Sequence, residues 1–104
     1  DSAVWTEFVL NTLKKEDRPI LAKTLTEKAM EIFNIDKKLH ERTRLAVARS
    51  MSRLDKVKKQ LKRHDVNGTK PRYYGLADWF DKNGELNKTY LDKIKHYTSE
   101  ERMN

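Results

Sequence analysis

Apolar residues recur three and four positions apart through the first half of the chain and then give way to alternation and turn residues, which predicts helices followed by a small sheet. A first helix covers 2–15, with Ser2 as an acceptable N-cap; Val4, Phe8 and either Leu10 or Leu13 form its stripe, and Trp5 and Val9 broaden it. Lys14 and Lys15 stand where a helix C-terminus favours cations. The helix stops before Arg18-Pro19, because proline disfavours helical geometry in the residue preceding it, and leaves a short extended link from Arg18 to Leu21. A second helix runs from about Lys23 or Leu25 to Phe33 on the pattern Leu25, Ala29, Ile32, Phe33, with Met30 beside it. The box Thr24-Leu25-Thr26-Glu27 makes Thr24 the expected cap, Asn34 is the expected terminator, and Ile35 to His40 is a charged connection.

The third helix is expected over 41–58. At about 100° per residue, Thr43, Val47, Met51, Leu54 and Val57 share one side and Arg42, Arg49, Arg53 and Lys56 the other. Continuing the wheel would bring Lys58 and Lys62 onto or beside the apolar face, so the helix ends around Val57 to Lys59 and a strand starts near Gln60 or Leu61. Gly68, Pro71, Gly75 and Gly84 then fall among Tyr73, Tyr74, Trp79 and Phe80, a turn-rich β element. Asn67-Gly68 is a strong hairpin signal, since both residues tolerate positive φ, and Pro71 puts the second strand at an edge or delays its pairing. Alternation along that strand turns Tyr74 and Leu76 to the core and Tyr73 outward. Leu86, Tyr90, Leu91 and Ile94 predict a last helix over 86–97, packed on its own domain or forming a homodimer seam, and 98–104 reads as a flexible tail.

A length of 104 residues fits one domain, and 37% hydrophobic with 38% charged residues suits long helices with solvated faces. Without cysteine there is no disulfide framework, thiol nucleophile or Cys-containing zinc site, which fits an intracellular setting, cytoplasmic or nucleoid and nuclear. Apolar runs are only a few residues long, so no segment spans a membrane. The chain begins at Asp1 without an initiator Met, which fits an excised domain or a processed product.

Charge changes the picture. Between Glu41 and Arg63 nine basic residues face two acids, Glu41 and Asp55, so this one segment carries the whole formal charge of +7. An ordinary surface helix mixes signs and gains from oppositely charged neighbours four apart, whereas Arg42, Arg49, Arg53 and Lys56 share a face with no carboxylate among them. Such a face repels itself unless a polyanion covers it. Arg42, Arg44 and Arg49 are candidates for base edges in a major groove, and Arg53, Lys56 and Lys59 for phosphates. Lys70 and Arg72, with Lys62 and Arg63 on the facing strand, could clamp an adjacent backbone; the ordinary alternative is that they keep a sheet edge soluble. Tyr73, Tyr74, Trp79 and Phe80 read first as core packing, and Tyr73, turned outward, is the one among them to test for base stacking. His40, His64 and His96 are too scattered for a metal site. No phosphate loop, nucleophile elbow or paired carboxylates appear, so no catalytic residue, enzyme activity or cofactor is assigned.

Two stretches carry a family resemblance. Asp17-Arg18-Pro19-Ile20 looks like the segment after the first helix, and Tyr74-Gly75-Leu76-Ala77-Asp78-Trp79-Phe80 looks like the wing exit, of the HARE-HTH type of winged helix-turn-helix. That family includes domains fused to restriction endonucleases and chromatin proteins, and a similar domain forms the delta subunit of bacterial RNA polymerase. The resemblance covers roughly residues 5 to 80. Its basic third helix and the additional last helix depart from the delta-subunit version, and the first departure favours nucleic acid over polymerase docking. The expectation is therefore a mostly α protein with a small β-hairpin: a winged helix-turn-helix over 1–83 plus the helix of 84–97. It would bind double-stranded DNA as a transcriptional regulator or as the targeting domain of a larger protein. Docking of an acidic protein surface and binding of RNA or single strands are the alternatives.

Overall fold

The computed structural model describes residues 2–66 and 69–94, and in it the chain is mostly helical with a small antiparallel sheet, an α+β fold. In chain order the elements are α1 (Ser2–Glu16), β1 (Ile20–Leu21), α2 (Ala22–Ile32), α3 (His40–Lys56), β2 (Leu61–Val66) and β3 (Thr69–Leu76), followed by a helical segment, α4, over 88–94. Single 3₁₀ turns precede α3 (Lys37–Leu39) and follow β3 (Ala77–Trp79).

Each of the first three helices is closed by a residue with positive φ: Asp17 at 52°, Asn34 at 53° and Lys59 at 57°. At Asn34 the expected terminator closes a Schellman motif, with Asn34 N–H donating to the Glu31 carbonyl at 3.2 Å and Ile35 N–H to the Met30 carbonyl at 2.8 Å. These reversals fix where the chain leaves each helix, and hence how α3 is presented.

Several expectations are corrected. α2 begins at Ala22, directly out of β1, so Leu21 occupies the cap position and Thr24 lies inside the helix. Strand geometry at Ile20 and Leu21 sets the start, and the Thr24 box is not used. Ile32 (65% exposed) and Phe33 (42%) are not core residues; Thr26, whose hydroxyl donates to the Ala22 carbonyl, is buried with Leu25 and Ala29 instead. Val57, placed on the apolar face by the wheel, is 66% exposed, because α3 has ended at Lys56 and Val57 is its C-cap.

The extended link of 18–21 contributes a third strand, giving the order β1-β3-β2. β3 is therefore central, and Pro71 does not mark an edge. It does delay pairing: Arg72 stands opposite Asp65 while Thr69 stands opposite Val66, so Lys70 and Pro71 fall in the register shift, where a missing N–H breaks no ladder bond. The Asn67-Gly68 turn lies outside the described residues.

Tyr73 is the sharpest correction. It is 1% exposed, while Tyr74 is half-buried. After Leu76 the chain folds back so tightly that a Cβ on Gly75 would stand 2.9 Å from Trp79 Cε3 and 3.3 Å from Phe80. Tyr73, two residues from Gly75, shares that covered side. Alternation was a sound guide, but the covering segment arrives from later in the chain.

α4 packs on its own domain. Leu86 and Ile94 join the same core as Phe8, Leu25 and Leu61, and Tyr90 stacks on Trp79 with centroids 4.2 Å apart and planes 12° apart, a contact worth about 0.5–1.5 kcal/mol beyond its buried area. Tyr90 Oη donates to Asp17 Oδ1 at 2.9 Å, and Lys93 Nζ donates to Asp17 Oδ2 at 2.9 Å and to the Asp17 carbonyl at 2.6 Å. The hydrogen bond from Lys93, then that from Tyr90, holds the Asp17 carboxyl below its ordinary range. Burial, followed by the bond to Asp17, raises the Tyr90 phenol. The remainder of the expected helix, 95–97, and the tail of 98–104 lie outside the described residues.

Candidate nucleic-acid interface

The helix face singled out by the sequence is intact. Thr43, Val47, Ser50, Met51 and Leu54 are buried against the rest of the domain, which anchors α3 and leaves Arg42, Arg49, Arg53 and Lys56 exposed on the far side. These four cluster within about 60° on the helical wheel and extend over about 21 Å of helix at 1.5 Å per residue. Among the described residues no carboxylate lies within ion-pair range of any of them.

The other candidates divide. Arg44 is paired within α3 to Glu41, its Nε donating to Oε1 at 2.6 Å. That bond lowers the Glu41 carboxyl from its usual range and raises the Arg44 guanidinium. Arg63 and Arg72 are also paired: Arg63 Nε lies 3.5 Å from Asp55 Oδ2 of α3, and Arg72 Nε lies 3.3 Å from Asp65 Oδ1 on the facing strand. Between them stands Tyr74, opposite Arg63 in the register. Burial raises its phenol most; Arg63 and Arg72 lower it, and Asp55 and Asp65 raise it further. The hairpin arginines therefore form a nearly neutral network rather than a free clamp.

Lys59 is exposed beyond the end of α3, and Lys62 is half-buried on the opposite side of β2 from Arg63. The Lys70 side chain lies outside the described residues. Tyr73, being buried, offers no ring to a base. Sequence reasoning missed Asp55 and Asp65 as partners, since both pairs cross between elements and no i,i+4 spacing announces them. It also missed Leu39 (41% exposed), in the turn before α3, and Leu45 (39% exposed), in the first half of α3, two exposed apolar side chains.

A cavity of about 370 Å³ lies elsewhere, between α1 and the end of α2, lined by Val4, Phe8, Ile32 and Phe33 among others. Its titratable lining residues are Glu7 and Lys15. Among the described residues no three His, Cys, Asp or Glu side chains gather as a metal site, and no helix is long and apolar enough to cross a membrane. Comparison with protein-family models, curated proteins and solved structures found no match.

Proposed function

We propose that this protein is a winged helix-turn-helix domain, similar to the HARE-HTH type, that binds double-stranded DNA as a regulatory or targeting module. The element order α1-β1-α2-α3-β2-β3 with β3 central supports the fold reading. The observation that carries the function is the stripe of Arg42, Arg49, Arg53 and Lys56, exposed and without an internal carboxylate partner among the described residues. Cations held apart from carboxylates on a rigid helix gain from a partner with regularly spaced anions, and release of condensed counterions from DNA supplies the affinity. Arg42 and Arg49 are the candidates for guanine edges, because an arginine fork fits O6 and N7 together.

The test is fluorescence anisotropy with labelled duplex over a salt series, comparing wild type with Arg49→Glu/Arg53→Glu. The expected result is a log K against log salt slope corresponding to several neutralised phosphates, lost in the double variant. Absence of wild-type binding even at low salt would sink the reading.

The second reading is docking to an acidic protein surface, and Leu39 and Leu45 favour it, since apolar anchors beside cations suit a protein interface. A stripe that captures an acidic protein but not DNA at physiological salt would select it.

A further inference from the structure

The two wing arginines are held in a particular way. Each approaches its carboxylate with Nε at the long end of the ion-pair range, 3.5 Å for Arg63 to Asp55 and 3.3 Å for Arg72 to Asp65. Their side chains remain 42% and 45% exposed, so each guanidinium is reachable from solvent while its charge is cancelled. The register puts Arg63, Asp65, Arg72 and Tyr74 on one side of the β2–β3 pair, and Asp55 joins that side to α3, one residue before Lys56 of the stripe. Exposed pairs of this kind are weak, whereas an arginine fork on a phosphate makes two parallel charge-assisted bonds, so phosphate can compete. Release is resisted all the same. Asp65 Oδ1 is buried and accepts no hydrogen bond among the described residues, leaving the Arg72 cation as its main compensation.

Building on the DNA-binding reading, we propose that Asp55 and Asp65 are specificity-determining internal counter-ions, holding Arg63 and Arg72 away from a loosely bound duplex and yielding them only to a duplex seated closely on α3. Non-specific DNA is then held by the stripe alone, and the wing arginines add contacts only in the close complex. A carboxylate that withholds a cation from any passing phosphate lowers background affinity more than it lowers affinity for a well-fitted site, which widens the ratio between them.

The experiment is a pair of double-mutant cycles read by anisotropy on a random-sequence duplex across a salt series: Asp55→Asn with Arg63→Gln, and Asp65→Asn with Arg72→Gln. In the wild-type background Arg63→Gln and Arg72→Gln are expected to leave the salt slope on this duplex unchanged and to lower affinity by less than about twofold, because neither guanidinium meets a phosphate there and only the uncovered carboxylate is felt. Each Asn variant should bind several-fold tighter, with a salt slope steeper by about 0.9, one additional phosphate contact. Adding the matching Gln substitution should abolish that gain. A long-range charge effect predicts the contrary: each Gln loses what each Asn gains, additively, and that additivity would overturn the proposal. So would Asn variants that match wild type while Arg49→Glu/Arg53→Glu still abolishes binding, a result that leaves the DNA reading standing. Wild-type protein that binds no duplex overturns both. Thermal melts of every variant identify any that fails to fold, and the Arg→Gln arm, which leaves the carboxylates in place, decides the question on its own.

Discussion

The α3 stripe and the β2–β3 hairpin carry the same kind of side chain and differ in what stands beside it. Arg42, Arg49, Arg53 and Lys56 project from a helix whose nearest acids, Glu41 and Asp55, point elsewhere and are engaged by Arg44 and Arg63. The hairpin arginines meet Asp55 and Asp65 across element boundaries. Counting charges along the chain treats both regions as one basic patch; pairing divides them into a region whose field extends into solvent and a region that is locally near neutral. The useful quantity for a polyanion interface is cations minus the carboxylates within reach, and only a folded chain defines that reach.

The largest expected effect concerns stability rather than binding. Tyr73→Ala removes a ring that is 1% exposed, and emptying such a site costs about 3–5 kcal/mol, a large part of what a domain of this size possesses. The measurement is the denaturation midpoint. A variant that kept the wild-type midpoint and lost affinity for single strands would restore Tyr73 to the proposed interface and undo the distinction between an exposed basic stripe and a structural hairpin.

Next comes the stripe. Arg49→Glu/Arg53→Glu removes two cations and adds two anions on an exposed face, so DNA affinity should fall by at least roughly tenfold at moderate salt and the slope should shrink by about 1.8, with the melting temperature almost unchanged. Unfolding of this variant would mean that the face is buried against something that the fold does not explain.

The contrast can be drawn inside α3 as well. Arg44 lies on the same helix as Arg53 but is tied to Glu41 by a short hydrogen bond. Arg53→Gln should weaken duplex binding several-fold and flatten the salt slope, whereas Arg44→Gln should cost less than about twofold with the slope unchanged, since the Arg44 donors are taken up by Glu41 and not by phosphate. Equal losses would show that the pair opens freely on the duplex, and that pairing in the free protein does not sort the cations.

How much of this was legible beforehand follows from the range of each signal. The stripe was readable because helical periodicity is local: burial of Val47, Met51 and Leu54 fixes where Arg42, Arg49 and Arg53 point. The end of α3 was readable for the same reason, as Lys58 and Lys62 could not continue on a buried face. Tyr73 was not, because its side of the strand is the one onto which Trp79 and Phe80 fold back at Gly75, an approach that strand alternation cannot contain. Asp55 entered the sequence reading only as an acid of the basic segment and Asp65 had no role in it; the antiparallel register sets Arg72 opposite Asp65, and the β2–α3 packing brings Arg63 to Asp55. The two stretches behind the family resemblance occupy junctions. Asp17 closes α1 with a positive φ and receives Tyr90 and Lys93, while Gly75 admits Trp79, so those residue choices follow from backbone and packing demands.

The smallest expected effect separates pairs that hold the fold from pairs that hold cations in check. Asp17 is bonded to Lys93 and Tyr90 of α4, and the Lys93 hydrogen bond is the main cause of its lowered pKa. A carboxyl whose folded value is depressed adds stability above its unfolded pKa and loses it as pH falls through the lower folded value; with an ordinary value of 3.8, the window opens just below pH 4 and extends downward. Melting temperature should therefore drop over that window by more in wild type than in Asp17→Asn, which has no carboxylate to protonate, while the two bind duplex equally at neutral pH. The difference should be modest, because Asp17 is solvent-exposed and the pair is screened. If Asp17→Asn changed DNA affinity as strongly as Asp65→Asn, then removing any negative charge would tighten binding, and the position of a carboxylate beside an interfacial arginine would count for nothing.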